Sequence, residues 1–239
     1  MTDVAADLAP TGVLRAAINL GNPVLAHGTA QDPAGVTVDL ARELGRRLGL
    51  DVELVCSDAA RLSLAAMVEG RADVCFLAVD PAREAEVAFT APYVLIEGVY
   101  VVPDDSDLRT PSDVDRPGVR VGVKEGSAYD LHLTRHLEQA ELVRGAEGVT
   151  TFEDEGLEAG AGIRQPVTAW AARRPEVRVL DEAFMQIRQA VGVPRTRSPE
   201  AIRHVADFVE DVKASGFVGR SLADAGQGDA TVAPPAGYS

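Results

Sequence analysis

Apolar positions along this chain fall into two alternating patterns. Apolar-rich stretches, VLRAAINL (13–20), DVELVC (51–56) and ADVCFLAV (72–79), read as strands, the first of them buried. Between them Leu40, Leu44 and Leu48 repeat on one stripe of a helix predicted over 37–49, with Thr37 as its N-cap, and 61–69 reads as a shorter helix. This alternation predicts a mostly parallel sheet covered by helices, an α/β fold. GVYVVP (98–103) is a further strand, ended near 104 by the polar stretch DDSDLRTPSDVDRPG. A second α/β unit then starts, with a strand at 119–123, the turn KEGS and a helix over 127–140. Through 141–193 the short apolar runs ELV, VRVL and MQIRQAVGV surround a helix predicted at 166–173. Ser198 caps, and Pro199 opens, a last helix over 199–214, whose apolar stripe is Ile202, Val205, Phe208, Val209 and Val212. The tail from 226, GQGDATVAPPAGYS, is small, polar and rich in Gly and Pro, which predicts disorder.

Length and charge narrow the function. The 239 residues accommodate two lobes of roughly 100 residues each. Against 23 basic residues stand 37 acidic ones, a net charge of −14, so nucleic acid and anionic lipid are poor partners, and an anion site must be made by local basic groups. No window reaches the ~18 apolar residues of a membrane span, so no membrane insertion is expected. The start MTDVAADLAPTG has no basic n-region, apolar h-region or cleavage box. As written, the sequence therefore reads as lacking a signal peptide and as cytoplasmic, unless a leader was removed. Cys56 and Cys75 end apolar runs and read as buried free thiols. His132 and His136 stand at i and i+4, but no Glu or Cys completes a metal set, and a solvated helix face is the simpler reading. No phosphate-binding Gly-rich loop and no nucleophile–His–Asp order is present, so neither a cofactor, a metal nor catalytic residues are expected.

The stretch AVDPAREAEVAFTAPY (78–93) carries a specific pattern: Asp80, Arg83, Phe89, Thr90, Pro92 and Tyr93 follow the third strand at fixed spacing. It resembles the solute-binding proteins of family 3, the polar amino-acid binders of ABC importers. LRAAINLG, GVTVDLARELGRRLGL, RVGVKEGSAYD and AVGVP with its following helix and ASGF resemble the family's other landmarks in the same order, over about residues 11–225. The resemblance implies the periplasmic binding protein type II fold: two Rossmann-like α/β lobes joined by two hinge strands near 99–103 and 186–193. Lobe one would comprise 1–100 plus 191–239, and lobe two 101–190. It also implies a non-enzymatic protein that closes on a small carboxylate-bearing metabolite in an interlobe cleft. The expected partner is an ABC permease outside the cytoplasm, and the expected state is a monomer.

Of the residues the resemblance marks, Arg83 is the main candidate, because a guanidinium fork matches a carboxylate with paired, charge-assisted hydrogen bonds. Ser127, at the start of the helix running to 140, is second. Free amides there attract an anion, although an N-cap also wants Ser at this place. Lys124 could add charge beside it or point to solvent. The departures from the family pattern bear on selectivity. The first loop, Gly21 to Leu25, has no aromatic ring and offers Asn22. Ahead of the arginine stand Ala78 and Asp80 where the family uses hydroxyl residues. The stretch AGAGIRQP has Arg164 and Gln165 where the family places an ammonium-binding Asp. Either Asp80 or Glu97 takes over an ammonium, or the ligand has none and Arg164 binds a second acidic or polar group. The alternatives in other classes are a cleft enzyme resembling cyclohexadienyl dehydratases, with Glu97, Asp80 or Glu125 as acid, and a ligand-sensing module.

Overall fold

In the computed structural model, the structure describes residues 3–237. The chain begins with α1 (Val4–Leu8) and β1 (Val13–Asn19), followed by a small ladder of β2 (His27–Gly28) with β3 (Pro33–Ala34). Next come α2 (Val36–Leu48), β4 (Asp51–Ser57), α3 (Ala60–Val68), β5 (Val74–Ala78), α4 (Pro81–Glu84) and the long β6 (Val87–Pro103). Then follow α5 (Pro111–Val114), β7 (Arg120–Lys124), α6 (Ala128–His136), β8 (Glu141–Gly145), α7 (Gly148–Glu155), β9 (Ala159–Ile163), α8 (Arg164–Ala171) and β10 (Val177–Val179). The chain closes with β11 (Met185–Pro194), α9 (Pro199–Ala214), α10 (Phe217–Asp224) and β12 (Thr231–Val232). The expected α/β fold is met.

These elements form two compact units, one of Met1–Leu95 with Arg188–Ser239 and one of Ile96–Ile187, and both β6 and β11 pass from one to the other. In unit one, β1 is flanked by β4 and β5, both parallel to it, and β11 runs antiparallel on the other side of β5. Every residue of β5 is buried, as an unbroken apolar strand in mid-sheet should be. In unit two, β7 pairs in parallel with β8 and β9, while β9 runs antiparallel to β6.

Several expectations need correcting. The N-cap of α2 is Gly35, not Thr37: its φ of 111° belongs to glycine, and a Cβ there would stand 2.6 Å from the Leu25 carbonyl oxygen. Thr37 instead donates both its amide and its hydroxyl to that carbonyl, at 3.2 Å each. The helix from 128 stops at His136 rather than 140, because the Asp115 carboxylate takes the amides of Glu138, Gln139 and Ala140 at 2.8–3.0 Å and holds them outside the helix. Five helices among the described residues, α1, α4, α5, α7 and α10, were not foreseen. The tail is not disordered through its described part: β12 pairs antiparallel with Val94 and Leu95, and Ala233 donates to the Tyr93 carbonyl at 3.0 Å. The buried Lys213 ammonium then ties the Pro92 and Pro234 carbonyls together. Residues 238–239 of that tail lie outside the described residues.

One buried charge fastens the start and end of unit one. Asp73, fully buried, accepts from the Arg15 amide, its Nε and its Nη2 at 2.7–3.0 Å, and from Arg197 Nη2 at 3.2 Å. Removing this carboxylate leaves two guanidinium groups facing each other without their anion. Asp73→Ala should therefore lower the urea unfolding free energy by about 3 kcal/mol.

Candidate functional site

In unit one the sheet delivers its chemistry at the carboxyl end of β5. Ala78 ends the strand, and Asp80, in extended conformation, caps α4 by accepting the Ala82 amide at 2.9 Å, with Pro81 opening the turn. That single turn folds Arg83 back over the strand end, where Nη1 donates to the Ala78 carbonyl at 3.0 Å. Arg83 is 2% exposed. Burial lowers its proton affinity, and the negative charge of Asp80 partly restores it. Around this group, burial pushes the Cys75 thiol up to about 12 although Arg83 pulls it down, and Gln189 of β11 is buried directly opposite Ala78. The rest of the motif has structural duties. Thr90 accepts from the Val191 amide at 3.2 Å, Phe89 packs into the cluster around Met67 and Leu77, and Tyr93 is fully buried edge-on to Phe76.

Asn22 belongs to the same edge of this sheet. β1 and β5 are parallel neighbours, Ala17 facing Cys75, so the loop after β1 and the Asp80–Arg83 turn leave the sheet on the same side. In open α/β sheets ligands bind at that side. Asn22 is 5% exposed.

Unit two holds the other marked residues. Ser127 is buried at the N-cap of α6, and its Oγ accepts the Asp130 amide at 3.0 Å while Asp130 accepts the Gly126 amide at 2.8 Å and Arg144 Nε at 3.0 Å. The capping role is thus filled, and the first amides of α6 stay at its open end. Lys124 forms an ion pair with Glu147. Arg164 forms one with Glu97 and donates Nη2 to the Asp181 carbonyl at 2.8 Å. Glu97 and Arg164, which the sequence set up as rival ligand contacts, are brought to each other. α8 begins at Arg164, two residues earlier than expected, so Arg164 and the half-buried Gln165 stand in its first turn. The rings of His132 and His136 stack 4.0 Å apart, and His136 Nδ1 lies 2.7 Å from the His132 carbonyl oxygen, an arrangement for packing rather than for chelation. Among the described residues no group of three or more His, Cys, Asp or Glu could hold a metal ion. Of the two thiols, both free, only Cys75 is buried and Cys56 is half-buried.

Gln189, paired with Ala78, was not singled out by sequence reasoning, and Cys75, read there only as a buried thiol, lies close enough to feel the charge of Arg83. A signal for Gln189 existed: along β11 the exposed Gln186 and Arg188 alternate with the inward Ile187 and Gln189.

A parallel sheet with charged turns at its carboxyl edge, repeated in two units, defines a ligand-binding class, and comparison with known proteins agrees. The family model described as bacterial extracellular solute-binding proteins, family 3, matches residues 14–223, and the chain belongs to that family. Three solved structures share its fold. A mutant of ArgBP from T. maritima has a TM-score of 0.75 at 20% identity, with 92% of this chain and 98% of that one covered. An amino acid ABC transporter substrate-binding protein from Streptococcus pneumoniae bound to L-arginine has a TM-score of 0.76 at 15% identity, covering 96% and 99%. The ancestral amino acid-binding protein AncCDT-1, a precursor of cyclohexadienyl dehydratase, has a TM-score of 0.74 at 21% identity, covering 92% and 98%. The fold is that of the type II periplasmic binding proteins. Among curated proteins, the virulence sensor protein BvgS of Bordetella pertussis is 32% identical over 130 residues, 54% of this chain. The chain spans about a tenth of that relative's length, the covered share being 10%. No helix among the described residues is long and apolar enough to cross a membrane.

The thiol beside Arg83 gives a readout of its surroundings. With its proton held to about pH 12, Cys75 should resist iodoacetamide at pH 8 in the native protein and react only after unfolding. Mass spectrometry should place any native label on Cys56.

Proposed function

We propose that this protein binds a small carboxylate-bearing metabolite, an amino acid or related organic acid, without transforming it, as the solute-binding component of an ABC importer. The observation that carries this reading is Arg83: a nearly fully buried guanidinium at the carboxyl edge of the unit-one sheet, set on a one-turn helix capped by Asp80. A fork of donors held there by the Ala78 carbonyl suits a carboxylate, and a low-dielectric surrounding strengthens that attraction. Asp80, Ala78 and Asn22 are its proposed companions in unit one. In unit two the proposed contacts are Ser127 with the first amides of α6, and Gln165. Arg164 and Glu97 act as a neutral pair whose carboxylate and guanidinium are already engaged. The family membership and the amino-acid-binding proteins among its structural relatives support the same reading.

A second reading, a ligand-sensing module, is favoured by the match to the virulence sensor. The binding step is the same and the output differs. Deletion of the gene should abolish uptake of the labelled ligand on the first reading, and should alter ligand-dependent transcription without touching uptake on the second.

Calorimetry tests the anchor. Arg83→Ala should lose about 3–5 kcal/mol of binding, because one partner of a desolvated charge pair is removed. Arg83→Lys should recover part of this, since it restores the charge without the fork. An unchanged affinity in a folded Arg83→Ala protein contradicts the assignment.

A further inference from the structure

The loop after β1 contains two asparagines with different duties. Asn19 does what asparagine commonly does in turns: its Oδ1 accepts the amide two residues on, Gly21, at 3.0 Å. Asn22 starts the next turn through its backbone alone, its carbonyl accepting the amides of Leu25 and Ala26 at 3.0 Å each. Its side chain is 5% exposed, and its Oδ1, sealed from solvent, accepts no hydrogen bond among the described residues. A buried acceptor left unsatisfied is uncommon and destabilising, and the turn gains nothing from it. The loop is also fixed: the Leu25 carbonyl takes both donors of Thr37, and Gly35 packs against it too closely to admit a Cβ. Asn22 is therefore held, with an unused acceptor, in a loop that leaves the sheet at the same edge as the turn that carries Arg83.

We infer that Asn22 is a specificity-determining residue, whose carboxamide oxygen accepts a hydrogen bond from a donor that the ligand carries close to its carboxylate. This rests on the reading of Arg83 as the carboxylate anchor. The ligand class then narrows to acids with a neighbouring hydroxyl or ammonium, and acids with a carbonyl at that carbon are rejected, because two acceptors would meet. A site built around a hydrogen bond discriminates strongly against analogues that lack it.

The test is calorimetry with three side-chain skeletons, isobutyl, benzyl and guanidinopropyl, each as the 2-hydroxy, 2-amino and 2-oxo acid. The expected result is that, on the skeleton that binds, the hydroxy or amino acid binds at least about tenfold tighter than the oxo acid. Asn22→Ala should bring the series to within about twofold, and Asn22→Asp, which keeps an acceptor, should preserve the preference and shift it toward the amino acid. Having no hydrogen bond to lose at Oδ1, Asn22→Ala should melt no lower than wild type. Oxo acids that bind as tightly as hydroxy and amino acids, or a preference that survives in Asn22→Ala, overturn the role of Asn22 while the loss of binding in Arg83→Ala still stands. Absence of binding by every acid to the wild-type protein overturns both readings.

Discussion

A guanidinium taken out of water needs negative charge or carbonyl oxygen in return, and much of unit one is arranged to meet that need for Arg83. The strand end supplies the Ala78 carbonyl, the cap of the following turn supplies the Asp80 carboxylate, and β5 itself is apolar throughout. Only a short helix leaving the strand at once could turn the side chain back over the sheet, and Asp80 with Pro81 starts such a helix. Burial still lowers the proton affinity of Arg83. A guanidinium under that penalty gains more from an arriving carboxylate than one in water does, because its solvation has already been given up during folding.

The cations of unit two are largely committed elsewhere. Lys124 faces Glu147, Arg144 faces Asp130, and Arg164 faces Glu97. These pairs are partly exposed and contribute little to stability. Their effect is on charge: on a chain with a net charge of −14, they leave no unit-two cation among them without a carboxylate partner. Selectivity in the proposed reading then falls to neutral groups such as Asn22 and Gln165, whose carboxamide oxygens are both sealed and without partners among the described residues. That differs from recognition built on opposed charges, and it follows from the positions where the sequence departs from the family pattern.

Much of this architecture was legible in the sequence. Strands β1, β4 and β5 are apolar-rich stretches between turn residues, and α9 announces itself by Ser198, Pro199 and a five-residue stripe, so each fell within a residue or two of its place. What escaped depends on contacts distant in the chain. The end of α6 is set by Asp115, more than twenty residues upstream, which no local propensity encodes. The tail looked disordered by composition, yet Lys213 and the edge of β6 give its backbone the partners that composition cannot reveal. At the site, Arg83 and Asp80 could be singled out because a motif fixes their spacing. The Arg164–Glu97 pair, separated by 67 positions, could not, since it arises from β6 lying beside β9. Asn22 could be named from its loop but not told apart from Asn19, because that distinction is made by which oxygen the Gly21 amide reaches.

The central claim is that the ligand is held by its negative charge. The most direct measurement is the thermal midpoint of the wild-type protein against carboxylic acids and their neutral primary amides, matched in shape. The account predicts that at 100 times its Kd an acid adds about 2.7 kcal/mol of apparent stability, several degrees in Tm, while the matching amide leaves the midpoint unchanged. Amides that stabilise the protein as much as their acids would contradict it.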